Sequence, residues 1–132
     1  MTPPPYEIQV QVYYEDTDHS GVVYHANYLK YFERAREAVI GPPELVRMWK
    51  TSGVGFAVYR ADINYQDGAE FGDTLTIRST IRKDSDYRLV WYQEAWRPNA
   101  QKPAVKAEIH LVCLDRDKQL KPIPEVGITY SS

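Results

Sequence analysis

Tyr14-Glu15-Asp16-Thr17-Asp18-His19-Ser20-Gly21-Val22-Val23-Tyr24-His25-Ala26-Asn27 runs without a break into Tyr28-Leu29-Lys30-Tyr31-Phe32-Glu33-Arg34-Ala35-Arg36-Glu37-Ala38-Val39-Ile40. The first half is a polar, acidic, Gly-containing loop with two histidines. In the second half Tyr28, Tyr31, Phe32, Ala35 and Val39 recur at helical spacing and form one apolar stripe, with Lys30, Glu33, Arg34 and Glu37 on the wetter side. Asn27 is expected to cap this helix through its side-chain oxygen. Gly41 followed by Pro42 and Pro43 is a stop signal. A helix over 27–40 is about 21 Å long, enough to cross a small sheet. Carboxylates leading directly into a helix N-terminus suit anion or oxyanion chemistry, because the free N–H groups there attract negative charge.

The flanking sequence reads mainly as strand. Residues 1–5, with three successive prolines, form a frayed or extended tail. Tyr6, Ile8, Val10 and Val12 alternate with Glu7, Gln9 and Gln11, the pattern of a half-buried strand. A second short helix with proline near its start is expected over 43–50. Strands follow over 56–66, 74–82, 87–97 and 103–115, separated by polar, Gly- or Pro-containing turns. An extended tail begins at Lys121. One strand, two helices and four more strands make an α+β fold with a five-stranded, mainly antiparallel sheet around one long helix. No repeat or linker divides residues 1–132, so a single domain is expected.

The chain has 132 residues, 16 Lys and Arg, 18 Asp and Glu, and a formal net charge of -2. That balance argues against non-specific nucleic-acid binding, which needs a basic face. The one cysteine, Cys113, lies in an apolar run and reads as a buried residue in a reducing compartment. With no signal-peptide pattern and no apolar run of spanning length, a soluble cytoplasmic protein with no membrane partner is expected. Asp16 and Asp18 suggest a metal by spacing, but the loop supplies too few oxygens for a hard cation, and an Asx turn explains one of them as well. His19, His25 and His110 have no zinc spacing. There is no Gly-x-Ser-x-Gly elbow, P-loop or dinucleotide fingerprint.

Val12 to Asp18, then Gly21 to Tyr28, then Tyr31-Phe32-Glu33-Arg34-Ala35-Arg36 resemble the hotdog-fold acyl-CoA thioesterases. The resemblance is to the 4-hydroxybenzoyl-CoA thioesterase group and its YbgC-like branch, and it extends more weakly to Ile63-Asn64-Tyr65 and Phe71-Gly72-Asp73-Thr74-Leu75. It implies a hotdog fold and hydrolysis of acyl-CoA to free acid and coenzyme A, with no metal or redox cofactor. It also implies a homodimer joined sheet edge to sheet edge, often paired into a homotetramer. Asp18, and not Asp16, matches the family's catalytic carboxylate. The His25 backbone N–H matches the donor that polarises the thioester carbonyl, and its side chain matches the histidine of the YbgC-like branch. His19 stands where relatives often carry a smaller residue, which bears on acyl preference. Tyr14 and Tyr24 flank the loop as candidates to line the acyl pocket, with core packing as the plain alternative. Arg82 and Lys83 are candidates for the coenzyme A phosphates, with a solvated hairpin end as theirs. Acyl-carrier-protein thioesters, an aromatic dihydroxynaphthoyl-type CoA, and non-catalytic acyl-CoA binding remain alternative functions.

Overall fold

The computed structural model describes residues 3–131. The expected N-terminal tail therefore falls partly outside the described residues, at Met1 and Thr2. The sheet is built from β1 (Tyr6–Gln11), β2 (Val54–Tyr65), β3 (Thr74–Ser85), β4 (Arg88–Trp96), β5 (Val105–Asp115) and the two-residue β6 (Leu120–Lys121). Its order is β1-β3-β4-β5-β2, with β6 added beside β5, and every pairing is antiparallel. The helices are α1 (Asn27–Ile40) and α2 (Pro42–Arg47), and α2 passes into a wider π turn at Met48–Ser52. This is the expected α+β hotdog arrangement, with a sixth strand. The extended tail is expected from Lys121, but Leu120 and Lys121 pair with Leu114 and Cys113, beyond the last residue of β5 that β4 covers.

Strand alternation decides what meets α1. On β3, Leu75, Ile77, Ser79 and Ile81 are buried, and on β4 Leu89, Trp91, Gln93 and Ala95 are buried. Residues two apart share a face, so each set points at the helix. Tyr28, Tyr31, Phe32 and Ala35 answer from α1. The stripe is wider than the sequence indicated, because Arg36 is also buried. The opposite sheet face carries a row of cross-strand neighbours, Glu7, Arg78, Glu94, Lys106 and Asn64, whose charges alternate in sign.

Two helix expectations change. Asn27 does not cap α1. Ala26 holds that position without a side-chain bond, while Asn27 is the first helical residue and its Nδ2 donates to the Asp16 carbonyl at 2.9 Å. The amide thus ties the helix start to the preceding loop. The second helix begins at Pro42 and is regular only to Arg47, because the chain then loosens through the π turn toward left-handed Gly53.

Candidate active site

The loop before α1 is a small hairpin. Thr17 bridges Val23, the Asp18 N–H donates to the Val22 carbonyl at 2.9 Å, and the Tyr24 N–H donates to the Asp16 carbonyl at 2.9 Å. Gly21, at φ 82, takes the left-handed turn at the tip that a side chain would resist. Asp18 stands at the start of that tip, and His25 stands at the base, where the chain turns into α1. A single tight turn of 3-10 helix, Tyr14–Asp16, precedes the first arm.

The two aspartates have different work. The Asp16 carboxylate accepts the Tyr13 N–H at 2.8 Å, and its carbonyl accepts both Tyr24 N–H and Asn27 Nδ2. The buried Tyr31 hydroxyl lies near the Asp16 carboxylate without closing a hydrogen bond, and burial followed by that negative neighbour pushes the phenol well above its ordinary range. Asp16 is therefore a fixed pivot. Asp18 uses only Oδ1, which accepts the Ser20 N–H at 2.9 Å and the Ser20 hydroxyl at 2.6 Å. Among the described residues Oδ2 has no partner. The Ser20 hydroxyl, then the Ser20 amide, holds the Asp18 carboxyl below its ordinary 3.8, so it is ionised at neutral pH.

The helix start offers donors. Among the described residues the His25 backbone N–H has no acceptor, as expected before the first helical turn. The His25 carbonyl accepts the Tyr65 hydroxyl at 2.9 Å, which pins the helix start to the end of β2. The exposed His25 ring leans on Tyr24 at 4.5 Å and stands edge-on to Tyr65 at 6.1 Å. Tyr24 is half exposed beside it, whereas Tyr14 is 77% exposed and meets only the edge of Phe71. Tyr24 and His25 are thus brought together, and Tyr14 lies on the outside of the hairpin. Arg82 and Lys83 pair with Asp84 and Asp86 of their own hairpin, at 3.6 and 4.0 Å.

Sequence reading missed the support beneath the hairpin. Val23 N–H donates to the Ala69 carbonyl at 2.8 Å, Val22 bridges Glu70, and a Cβ on Gly68 would come within 2.7 Å of Val22 Cγ1. That second loop is clamped by Arg97, which reaches Asp73 at 2.8 Å, Asp67 at 3.3 Å and Glu70 at 3.6 Å. The three acids within residues 67–73 were a signal for a cationic clamp, but nothing local identified which arginine. Tyr65, closing the quoted Ile63-Asn64-Tyr65, gave no hint of its bond to His25.

Two cavities stand out. One of about 560 Å³ lies on the outer sheet face around Arg78, Tyr92 and Lys106. The other, about 640 Å³, runs along α1 from Lys30 to Ile40, between the helix and the first half of β2. Neither is lined by Asp18 or His25, which lie on the open surface of the single chain. Among the described residues no group of three His, Cys, Asp or Glu side chains is placed to share a metal ion.

A profile of the thioesterase-like superfamily matches residues 12–127. The chain belongs to the thioesterase-like superfamily. Within this superfamily it is 36% identical over 115 residues to the acyl-CoA thioester hydrolase YbgC of Escherichia coli O6:H1, covering 86% of this chain and 84% of that one. It is 31% identical over 120 residues to the acyl-CoA thioesterase YbgC of Haemophilus influenzae, covering 89% and 86%. The crystal structure of Slr0204, a 1,4-dihydroxy-2-naphthoyl-CoA thioesterase from Synechocystis, superposes with a TM-score of 0.82 at 25% identity, covering 91% of this chain and 90% of that one. The YbgC-like resemblance and the hotdog fold expected from the sequence are both borne out.

Proposed function

We propose that this thioesterase-superfamily chain hydrolyses acyl-CoA thioesters to a free acid and coenzyme A, with the Asp18 carboxylate and the amides at the start of α1 as its chemical groups. The observation that carries this reading is the pairing of an ionised carboxylate oxygen, Asp18 Oδ2, left free by Ser20, with an unengaged N–H at His25, on one hairpin. A thioester carbonyl becomes an oxyanion when attacked. A preorganised N–H donor at a helix start favours that charge, and removing such a donor typically costs about 3–4 kcal/mol of barrier. The departing thiol has a pKa of about 8.5, so it leaves as thiolate without a strong acid. Asp18 Oδ2 serves either as nucleophile, through an anhydride that water then opens, or as the base that takes a proton from water. In both routes the C–S bond breaks, a C–O bond forms, and the proton ends on coenzyme A sulfur. His25 and Tyr24 border the reacting group, and Tyr14 the outer rim. Coenzyme A is part of the substrate, and no cofactor takes part.

The working form in this reading is a homodimer, further paired as a homotetramer, in the cytoplasm. Support comes from β2, a twelve-residue edge strand with unpaired backbone groups and half-exposed Val58, Tyr59 and Tyr65. A second copy along that edge would enclose the helix-side surface that the single chain leaves open. Buried, unpaired Cys113 suits a reducing compartment.

Thiol release from a panel of acyl-CoAs tests the proposal. Asp18→Asn is expected to lower kcat by about 10²–10⁴-fold while coenzyme A still binds, since it removes the proton acceptor and nucleophile alike. Saturable binding of acyl-CoA with no thiol release from the unaltered protein would make it a binder, and full activity in Asp18→Asn would remove Asp18 from the chemistry.

A further inference from the structure

The peptide joining His25 to Ala26 is gripped at one end and free at the other. Its carbonyl accepts the Tyr65 hydroxyl at 2.9 Å, and among the described residues it has no other donor. Its N–H, on Ala26, has no acceptor among them. The bond is trans, so the carbonyl and the N–H point in opposite directions. Ala26 already has helical dihedrals, φ -70 and ψ -19, so its N–H is one of the leftover donors of the first turn, next to that of His25.

The other contacts of this turn hold it to the hairpin. The Asn27 N–H donates to the Tyr24 carbonyl at 2.9 Å, and Asn27 Nδ2 donates to the Asp16 carbonyl at 2.9 Å. Neither touches the 25–26 peptide, so Tyr65 is its one hydrogen-bond anchor among the described residues. Tyr65 is itself well held. It ends β2, opposite Val105 of β5. Its ring stands edge-on to buried Tyr28 at 5.8 Å and to the His25 ring at 6.1 Å. Burial raises its phenol above the ordinary 10, so the hydroxyl stays a neutral donor at neutral pH. Two effects follow. A bond from a sheet side chain steadies a peptide at the end of a helix. A hydrogen bond accepted at a peptide carbonyl also polarises the group and makes the N–H of the same peptide a stronger donor, by about 10–30% per bond.

We propose that Tyr65 is a positioning residue for thioester hydrolysis: its hydroxyl, bound to the His25 carbonyl, aligns and polarises the 25–26 peptide so that the Ala26 N–H joins the His25 N–H in holding the oxyanion. The proposal rests on the hydrolase reading above and deepens it by a second donor and the side chain that sets it. Tyr65 acts through the peptide, and no proton leaves its phenol. An interaction that grows only as the oxyanion develops speeds the chemical step and leaves ground-state binding alone, so its loss falls on kcat and not on KM.

Thiol release from acetyl-, hexanoyl-, palmitoyl- and benzoyl-CoA, followed further with the fastest of them, provides the test. Tyr65→Phe keeps the ring and removes the hydroxyl. It is expected to lower kcat about tenfold, less than the roughly 10²–10³-fold that follows loss of a donor itself, with KM within about twofold. Melting temperature and oligomeric state should stay close to those of the unaltered protein. Tyr59→Phe, which removes a hydroxyl of the same strand that bonds nothing among the described residues, should leave both constants unchanged. A difluorinated tyrosine in place of Tyr65 ionises at lower pH and then has no proton to donate. Its kcat should fall through that ionisation, seen as phenolate absorbance, while KM stays flat, and this protein decides the question if Tyr65→Phe fails to fold. A kcat for Tyr65→Phe within about twofold of the unaltered value, an effect confined to KM, or a kcat indifferent to ionisation of the fluorinated phenol overturns the proposal and leaves the hydrolase reading intact. So does a fall in kcat that follows loss of oligomer or of melting temperature, because the hydroxyl then serves the fold. No thiol release by the unaltered protein from any acyl-CoA of a wider panel overturns both readings.

Discussion

Asp16 and Asp18 are separated by one residue, yet their surroundings give them opposite parts. Asp16 spends its carboxylate on Tyr13 N–H and its carbonyl on the helix start, whereas Asp18 is held from one oxygen only and presents the other. Ser20 therefore sets the acidity of Asp18. A carboxylate with a depressed pKa stays charged as the pH falls below the ordinary 3.8, so the acid limb of kcat/KM should lie below that value. In Ser20→Ala the side-chain hydrogen bond is lost, the pKa rises toward 3.8, and the acid limb should move up in pH with little change in the neutral plateau. A pH–rate profile checks this, and an unmoved limb would mean that another group controls it.

Among the elements, the hairpin and the loop at residues 67–73 act as one piece. The loop supplies the Ala69 carbonyl for Val23 and lets Gly68 approach Val22 closer than any side chain would permit. Gly68→Ala would set a Cβ 2.7 Å from Val22 Cγ1. It is expected to destabilise the protein by about 1–3 kcal/mol and to lower kcat, because the displaced hairpin carries Asp18. Thermal unfolding and turnover of this one variant report both effects. The helix start is fixed from two directions, by Asn27 from below and by the Tyr65 hydroxyl from β2, which keeps the free His25 amide in a set position.

For the whole molecule, the sheet has one long edge strand. β2 shows its outer backbone groups and half-exposed Val58, Tyr59 and Tyr65 along an edge that no other strand covers among the described residues. Such an edge invites a partner strand, and a charge placed on it opposes pairing. Ala61 is opposite Ile109 and shares its helix-facing side. In the dimer proposed above, Ala61→Glu should raise the dissociation constant at least about tenfold, since a charge on the edge strand opposes pairing. Sedimentation velocity shows the shift. Among the described residues no helix is long and apolar enough to cross a membrane.

Much of this protein is legible along the chain because the relevant physics is local. Period-two alternation places β1 and β3, the 3.6-residue stripe and Gly41-Pro42 bound α1, and the acidic loop feeding a helix start points to oxyanion chemistry before any contact is known. Other features depend on which surfaces meet. Asn27 looks like a cap until the loop folds back and supplies a carbonyl as its acceptor. Arg36 has no place in the apolar stripe read from the sequence, and it is buried because β4 lays Gln93, fifty-seven residues away, against it. The sixth strand exists only because β5 outruns β4. For Asn27 and Arg36 the side chain's partner lies in another element, so periodicity and propensity carry no record of it, and which surfaces meet decides what that side chain does.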